Sequence, residues 1–223
     1  MTRIFLICLI ILNLHAKKED KMNNISLENS GLVLIEYQNE WLNEGTKLSK
    51  LMKDKIQFKN SIENSKKVLS YARKLGLNII HVPLMISDDY KEFGNNAKYG
   101  LRAIIPKVKT WQGNNKDFHE DFKPLKKEFI VSGRIGASGF ANSNLDAILR
   151  NNGIENIFLI GYATNVCVDS TMREAHDKGY NTTIISDATS SFTKEEQEHF
   201  LEYIVHHFAA KITTQEFLSL KPK

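Results

Sequence analysis

The hydrophobic pattern divides the chain into short apolar runs separated by longer stretches of helical periodicity. The run Gly31, Leu32, Val33, Leu34, Ile35 has polar neighbours and ends on Glu36; an unbroken apolar run of that length predicts a strand covered on both faces. Over residues 48–75 the apolar positions Leu48, Leu51, Met52, Ile56, Ile62, Val68, Leu69, Ala72 and Leu75 recur at helical spacing, and Gly76 supplies a stop. A break near Phe58 to Ser61 is expected to split this stretch into two helices. Further strands are predicted over 77–82, ended by Pro83, and over 129–131, 157–160 and 182–185. Helices are predicted over 144–150, closed by Asn152 and Gly153, over 165–178, closed by Gly179, and over 194–208; Ile212 opens a terminal strand or turn before residues 216–218.

Strands alternating with helices imply parallel strands joined by right-handed crossovers, and so a three-layer α/β/α sandwich with a mainly parallel, Rossmann-like central sheet. Binding sites in such sheets lie at the carboxyl ends of the strands. Three residues with useful chemistry fall there: Glu36 after the first strand, Arg134 beyond the third and Cys167 beyond the fourth. Residues 83–128 lack strong periodicity and carry Tyr90, Phe93, Tyr99, Trp111, Phe118 and His119. An excursion of that length is expected to serve as a lid, a binding wall or an oligomer contact.

Composition narrows the functional classes. With 223 residues, 42% hydrophobic and 25% charged, the chain is globular and long enough for a core without disulfides or a structural metal. The 30 basic and 26 acidic side chains are interspersed, which argues against nucleic acid as a partner. Two cysteines, Cys8 and Cys167, leave the body of the chain with one thiol, excluding a disulfide framework and a multi-cysteine zinc site. Cys8 lies in the apolar run 4–12, which follows Arg3 and precedes Ala16 and a charged segment. Two readings of residues 1–21 stay open: a secretory signal, or a start codon set upstream of a true start at Met22. The first implies export and the second a cytoplasmic protein. The run is too short for stable membrane insertion. Residues 22–223 then form a single domain with 26 basic against 24 acidic side chains.

Cys167 falls in the first turn of a predicted helix that follows a strand with a tight connection. Free backbone N–H groups and the helix dipole at that place favour a thiolate and can hold an oxyanion. A buried, inert thiol is the plain alternative. A working nucleophile also needs a base or a cation, and Glu36 and Arg134 stand at neighbouring strand ends.

These residues carry a family resemblance. The stretch GYATNVCVDSTMREAHDKGYNTTIISDATSS resembles the nucleophile region of the isochorismatase-like cysteine hydrolases, which include nicotinamidases, N-carbamoylsarcosine amidases and ureidoacrylate amidohydrolases; LVLIEYQNEW, GRIGASGFANSNLDAILRNNGI and ITTQEFLSL extend the likeness over nearly all of residues 30–220, and the EYQN segment is similar to one subfamily. The resemblance implies a catalytic triad of Glu36, Arg134 and Cys167. It also implies a cis peptide at Tyr162–Ala163, with an oxyanion received by backbone N–H groups near Ala163 and Cys167. Two departures stand out: Glu36 where most members have Asp, and Arg134 where they have lysine. Arginine keeps the charge, yet it cannot be deprotonated and its planar fork favours a bidentate carboxylate partner.

The implied reaction is cysteine-dependent hydrolysis of an amide, carbamoyl or ureido C–N bond of a small molecule through a thioester; a catalytically impaired member used for binding or assembly is the alternative. A redox-sensing thiol is weaker, because no resolving cysteine accompanies Cys167. Members that cleave a vinyl ether lack this cysteine. The Asp-x-His pair of metal-holding nicotinamidases is replaced here by Asp88 and Asp89 without a neighbouring histidine, so neither metal nor other cofactor is expected. Trp41 and Trp111 are candidate substrate walls, and a homodimer or homotetramer is expected from the resemblance.

Overall fold

The computed structural model describes residues 26–221, so Cys8 and the alternative readings of residues 1–21 lie outside the described residues. Among the described residues, six parallel strands form one sheet in the order β3-β2-β1-β4-β5-β6. They are β1 (Ser30–Ile35), β2 (Asn78–Val82), β3 (Phe129–Ile130), β4 (Asn156–Tyr162), β5 (Asn181–Ser190) and β6 (Ala210–Ile212). The chain order reverses between β1 and β4, which pair in register from Ser30 opposite Asn156 to Ile35 opposite Gly161. That reversal opens the crevice in which ligands of such sheets bind.

The strand pleat sorts the core into two layers. Successive side chains point to opposite faces, so Leu32 and Leu34 of β1 join one apolar cluster while Val33 and Ile35 join the other. The α-helices of the described residues are α1 (Asn39–Leu42), α2 (Lys47–Leu51), α3 (Lys55–Leu75), α4 (Leu101–Val108), α5 (Leu145–Asn151), α6 (Asp169–Asp177), α7 (Lys194–His199) and α8 (Thr214–Ser219). The first layer receives Phe58, Val68, Leu69 and Ala72 from α3 and Phe217 from α8. The second receives Leu145 and Leu149 from α5 and Met172 and Ala175 from α6.

Some expected boundaries differ from those observed. The break expected near Phe58 to Ser61 lies instead at residues 52–54. There Lys53 N–H turns to the Phe192 carbonyl at 2.7 Å, and Asp54 caps α3 by accepting from Gln57 N–H at 3.0 Å. Phe58 and Ser61 are buried inside the helix, and Ser61 shares a hydrogen bond with the Tyr162 hydroxyl at 3.1 Å. The fifth strand runs past the expected residue 185 to Ser190, because Thr189 and Ser190 pair with Gly161 and Tyr162 beyond a register shift. The segment expected as one helix over 194–208 changes from α7 to a wider π turn at Phe200–Ile204 and then to a tight turn at Val205–His207. Within the excursion, α4 is an element that the sequence pattern did not reveal.

Candidate active site

Glu36, Arg134 and Cys167 come together at the carboxyl edge of β1, β2 and β4, on the floor of a cavity of about 440 Å³. Each arrives by a different local device. Glu36 directly follows β1 with φ +59°, in the left-handed region that a non-glycine residue rarely enters, and its N–H donates to the Val82 carbonyl at 3.1 Å. The turn directs its side chain over the strand end, where it is 1% exposed. Arg134 follows Gly133 (φ +83°), where a Cβ would stand 2.7 Å from the Asn142 carbonyl oxygen, so only glycine allows this return of the chain.

Arg134 is also 1% exposed and is held on every side. Its Nη2 donates to Glu36 Oε1 at 2.6 Å and to the Ala137 carbonyl at 2.7 Å. Nε donates to the carbonyls of Gly136 at 3.1 Å and Ser138 at 3.2 Å, and Nη1 to that of Val82 at 3.3 Å. Burial works against the cation, but the Glu36 carboxylate and Cys167 outweigh it and hold the Arg134 pKa above its ordinary value. The bidentate pairing favoured for an arginine fork is absent: Glu36 offers Arg134 one oxygen, and the other, Oε2, accepts from the Trp41 indole N–H at 2.7 Å. Trp41 thus lines the cavity and fixes the carboxylate at once.

Cys167 lies in a π turn, Thr164–Val168, that leads into α6. The turn lets one carbonyl, that of Ala163, accept from both Val166 N–H at 3.1 Å and Val168 N–H at 3.2 Å. The peptide Tyr162–Ala163 before it is cis, as the resemblance implied. Gly161 (φ +136°) makes the approach possible, since a Cβ there would come within 2.2 Å of the Ile35 carbonyl oxygen. Thr171 ties the nucleophile turn to the arginine loop: its hydroxyl donates to the Cys167 carbonyl at 2.6 Å and accepts from Gly139 N–H at 2.8 Å. A lowered thiol pKa was expected from the helix start. Instead burial, and then the Glu36 carboxylate, push the Cys167 thiol well above its ordinary value, while Arg134 pulls it back in part. Desolvation outweighs the cation because Cys167 is only 6% exposed.

The residues of the EYQNEW segment divide the remaining work. The Tyr37 hydroxyl shares a hydrogen bond with Ser65 at 2.6 Å in the core. Buried Gln38 brackets the chain after β2, donating to the carbonyls of Leu84 at 3.1 Å and Lys116 at 2.6 Å and accepting from Leu84 N–H at 2.8 Å. Glu40 is 0% exposed, and its carboxylate takes N–H groups from Lys47, Leu48, Trp111 and Asn115. It therefore seats Trp111 on the cavity wall, edge-on to Trp41 with ring centroids 6.2 Å apart. Nothing in the sequence singles out Glu40, because no sequence signal marks the donors that surround it.

Asp88 is drawn to Lys116 Nζ at 2.8 Å and to Gly113 N–H at 3.3 Å, which staples the excursion. Among the described residues, no group of three or more His, Cys, Asp or Glu side chains is arranged to hold a metal ion. Among the same residues, no helix is long and apolar enough to cross a membrane.

A family model described as "Isochorismatase domain" matches residues 30–216. The ureidoacrylate amidohydrolase RutB of Caulobacter segnis is 30% identical over 201 residues, covering 84% of this chain and 84% of that protein. The enzyme of the same name from Agrobacterium fabrum is 28% identical over 197 residues, 83% of this chain and 86% of its own. Among solved structures, a cysteine hydrolase from Pseudomonas syringae superposes with a TM-score of 0.72 at 21% identity, covering 87% of this chain and 92% of that one. N-carbamoylsarcosine amidase from Thermoplasma acidophilum does so with 0.62 at 20% identity, covering 83% and 96%. At such identities the two structures speak for the fold.

Proposed function

The chain belongs to the isochorismatase family, and on that premise we propose that it hydrolyses a C–N bond of a small amide, carbamoyl or ureido compound, with Cys167 as nucleophile and a thioester as intermediate. The observation that carries this reading is the convergence of one sulfur, one carboxylate and one guanidinium on the floor of a single cavity. Relatives named as amidohydrolases support the class of bond.

The resting thiol is protonated, since burial raises its pKa. The proton therefore leaves as the sulfur attacks: Cys167 Sγ forms its bond to the carbonyl carbon while Glu36 takes the thiol proton. The carbonyl π electrons move onto oxygen, and the backbone N–H groups of Ala163 and Cys167 are the donors proposed to receive that oxyanion. Collapse of the tetrahedral species breaks the C–N bond, and Glu36 returns its proton to the leaving nitrogen. A water molecule, deprotonated by Glu36, then attacks the thioester; the acid departs and the sulfur regains a proton. Arg134 moves no proton in this cycle. It holds Glu36 in place and offsets negative charge on whichever of Glu36 and Cys167 carries it.

A panel of amides, ureas and carbamates assayed for ammonia release tests the proposal. The Cys167→Ala protein should lose at least about a thousandfold in turnover, and denaturation of the working enzyme in mid-reaction should leave an acyl group on Cys167 detectable by mass. Turnover that survives Cys167→Ala removes the nucleophile from the mechanism.

A further inference from the structure

The walls above the three reacting groups are hydrocarbon. Leu84, Phe93, Ile105, Trp41 and Trp111 form the buried part of the cavity. The rim continues it with Leu51, Leu101, Ile104 and Val108, which are 52%, 40%, 45% and 41% exposed. Leu101, Ile104 and Val108 stand at i, i+3 and i+7 on α4, so one face of that helix turns a stripe of aliphatic side chains to the opening. Polar atoms on the wall are sealed away. Thr110 Oγ1 and Trp111 Nε1 are buried without a hydrogen-bond partner, with too little surface to meet a ligand. Glu36 and Arg134 are committed to each other on the floor. Among the described residues, only Arg102 brings a charge to the rim, from an exposed position.

We infer that the substrate of this site is an uncharged amide whose non-reacting part is an aliphatic or aromatic hydrocarbon group, an inference that rests on the hydrolase reading for its chemistry. A ureido acid such as ureidoacrylate brings a carboxylate and several N–H groups, which need partners when they leave water. This wall supplies none below the rim. A hydrocarbon group loses nothing there and exchanges water for close apolar contact. At about 440 Å³ the cavity falls within the roughly 300–1,000 Å³ range of small-molecule sites.

The test is the series propanamide, butanamide, pentanamide and hexanamide, with benzamide, ureidoacrylate and succinamate beside it, followed by ammonia release. Each methylene should raise kcat/KM about fourfold, about sixtyfold from propanamide to hexanamide. Ureidoacrylate should be at least about tenfold poorer than hexanamide. Succinamate, similar in length to pentanamide but ending in a carboxylate, should likewise be poorer than pentanamide. A flat series or a preference for ureidoacrylate overturns the inference. A preference for succinamate also overturns it and makes Arg102 a carboxylate anchor. Calorimetric binding of the same compounds to Cys167→Ala separates this inference from the mechanism. If no compound is hydrolysed but affinity climbs with chain length, the hydrolase reading fails and the apolar site stands; if none binds, or the acids bind best, the apolar site fails as well.

Discussion

Replacing Arg134 by lysine keeps a positive charge in the site and removes the guanidinium geometry, so it tests whether that geometry matters. Arg134 donates five hydrogen bonds, one to Glu36 and four to the carbonyls of Val82, Gly136, Ala137 and Ser138. An ammonium has three donors at one point and cannot reach all five acceptors. Not every lost bond costs the same. Val82 O also accepts from Glu36 N–H and Ser138 O from Ala141 N–H, so these two carbonyls stay paired without the guanidinium. A lysine that keeps Glu36 and Ala137 leaves the half-buried Gly136 carbonyl without this partner, at about 1–3 kcal/mol. The space left by the guanidinium adds about 1 kcal/mol.

Arg134→Lys should therefore be less stable by about 2–4 kcal/mol, which for a chain of this size lowers Tm by about 4–16 °C. Its kcat/KM should fall about tenfold as the ammonium and Glu36 lose their fixed relation. Arg134→Met, which strands Glu36 without a cation, should be worse on both counts. Differential scanning calorimetry and the ammonia assay read the two effects separately. An Arg134→Lys protein that melts with the wild type, or turns over faster, would refute the reasoning: the carbonyl contacts would then contribute nothing and the native arginine would be a handicap.

Three other outcomes are expected. Trp41→Phe deletes the 2.7 Å indole bond to Glu36 Oε2; a bond to a charged group is worth about 1.5–3 kcal/mol, so Tm and kcat should both drop, and an unchanged melting curve would show that the bond is idle. Gly161→Ala sets a methyl against Ile35 O, 2.2 Å from the ideal Cβ, at φ +136°; a loss of more than about 3 kcal/mol should appear as insoluble or low-melting protein, contrary to which a soluble variant melting with the wild type would show that β1 and β4 can part at no cost. Acid should weaken the fold through Glu128, whose pKa is lowered to about 2 against burial by Arg73, Leu125 N–H and His81, from an ordinary 4.5. The unfolded chain protonates there first, so this stabilisation, about 3 kcal/mol, is present above pH 4.5 and is lost as pH falls toward 2. Burial lowers the His81 pKa from its ordinary 6.5, which acts in the same direction as pH drops below that value. Urea midpoints measured against pH should fall through this window, and Glu128→Gln should flatten the curve.

The central strands could be read from the chain because β1, β2 and β4 are apolar on both faces, a pattern that covered parallel strands produce and loops do not. The three strand-end residues followed from topology: once the strands are parallel, what comes next in the chain lies on one edge of the sheet. What the sequence hid depends on neighbours far along the chain. Met52 to Asp54 breaks the helical stretch because Lys53 finds Phe192, and nothing within the stretch marks that partner. Glu40 and Glu36 differ by four positions and look alike on paper, yet one is satisfied by four N–H groups and holds a wall while the other faces the sulfur. The direction of the thiol shift was hidden for the same reason. A helix start is visible in a sequence, whereas the desolvation that outweighs it comes from side chains of several elements.

The arginine also constrains the proposed chemistry through its protons. A lysine at this position could in principle give up a proton and take it back; a guanidinium does not. The mobile protons of the site are then those of Glu36, Cys167, the substrate and water. With the resting thiol neutral, a single carboxylate has to receive the proton at attack and release it to the leaving nitrogen, and it has to be aimed well for both. The hydrogen bonds on its two oxygens provide that aim: Arg134 holds Oε1 and Trp41 holds Oε2. Arg134 is itself clamped by carbonyls from β2 and from its own loop. On this view the guanidinium contributes rigidity and a permanent charge rather than acid–base exchange, and the cavity's hydrocarbon walls strengthen that charge by keeping water from it.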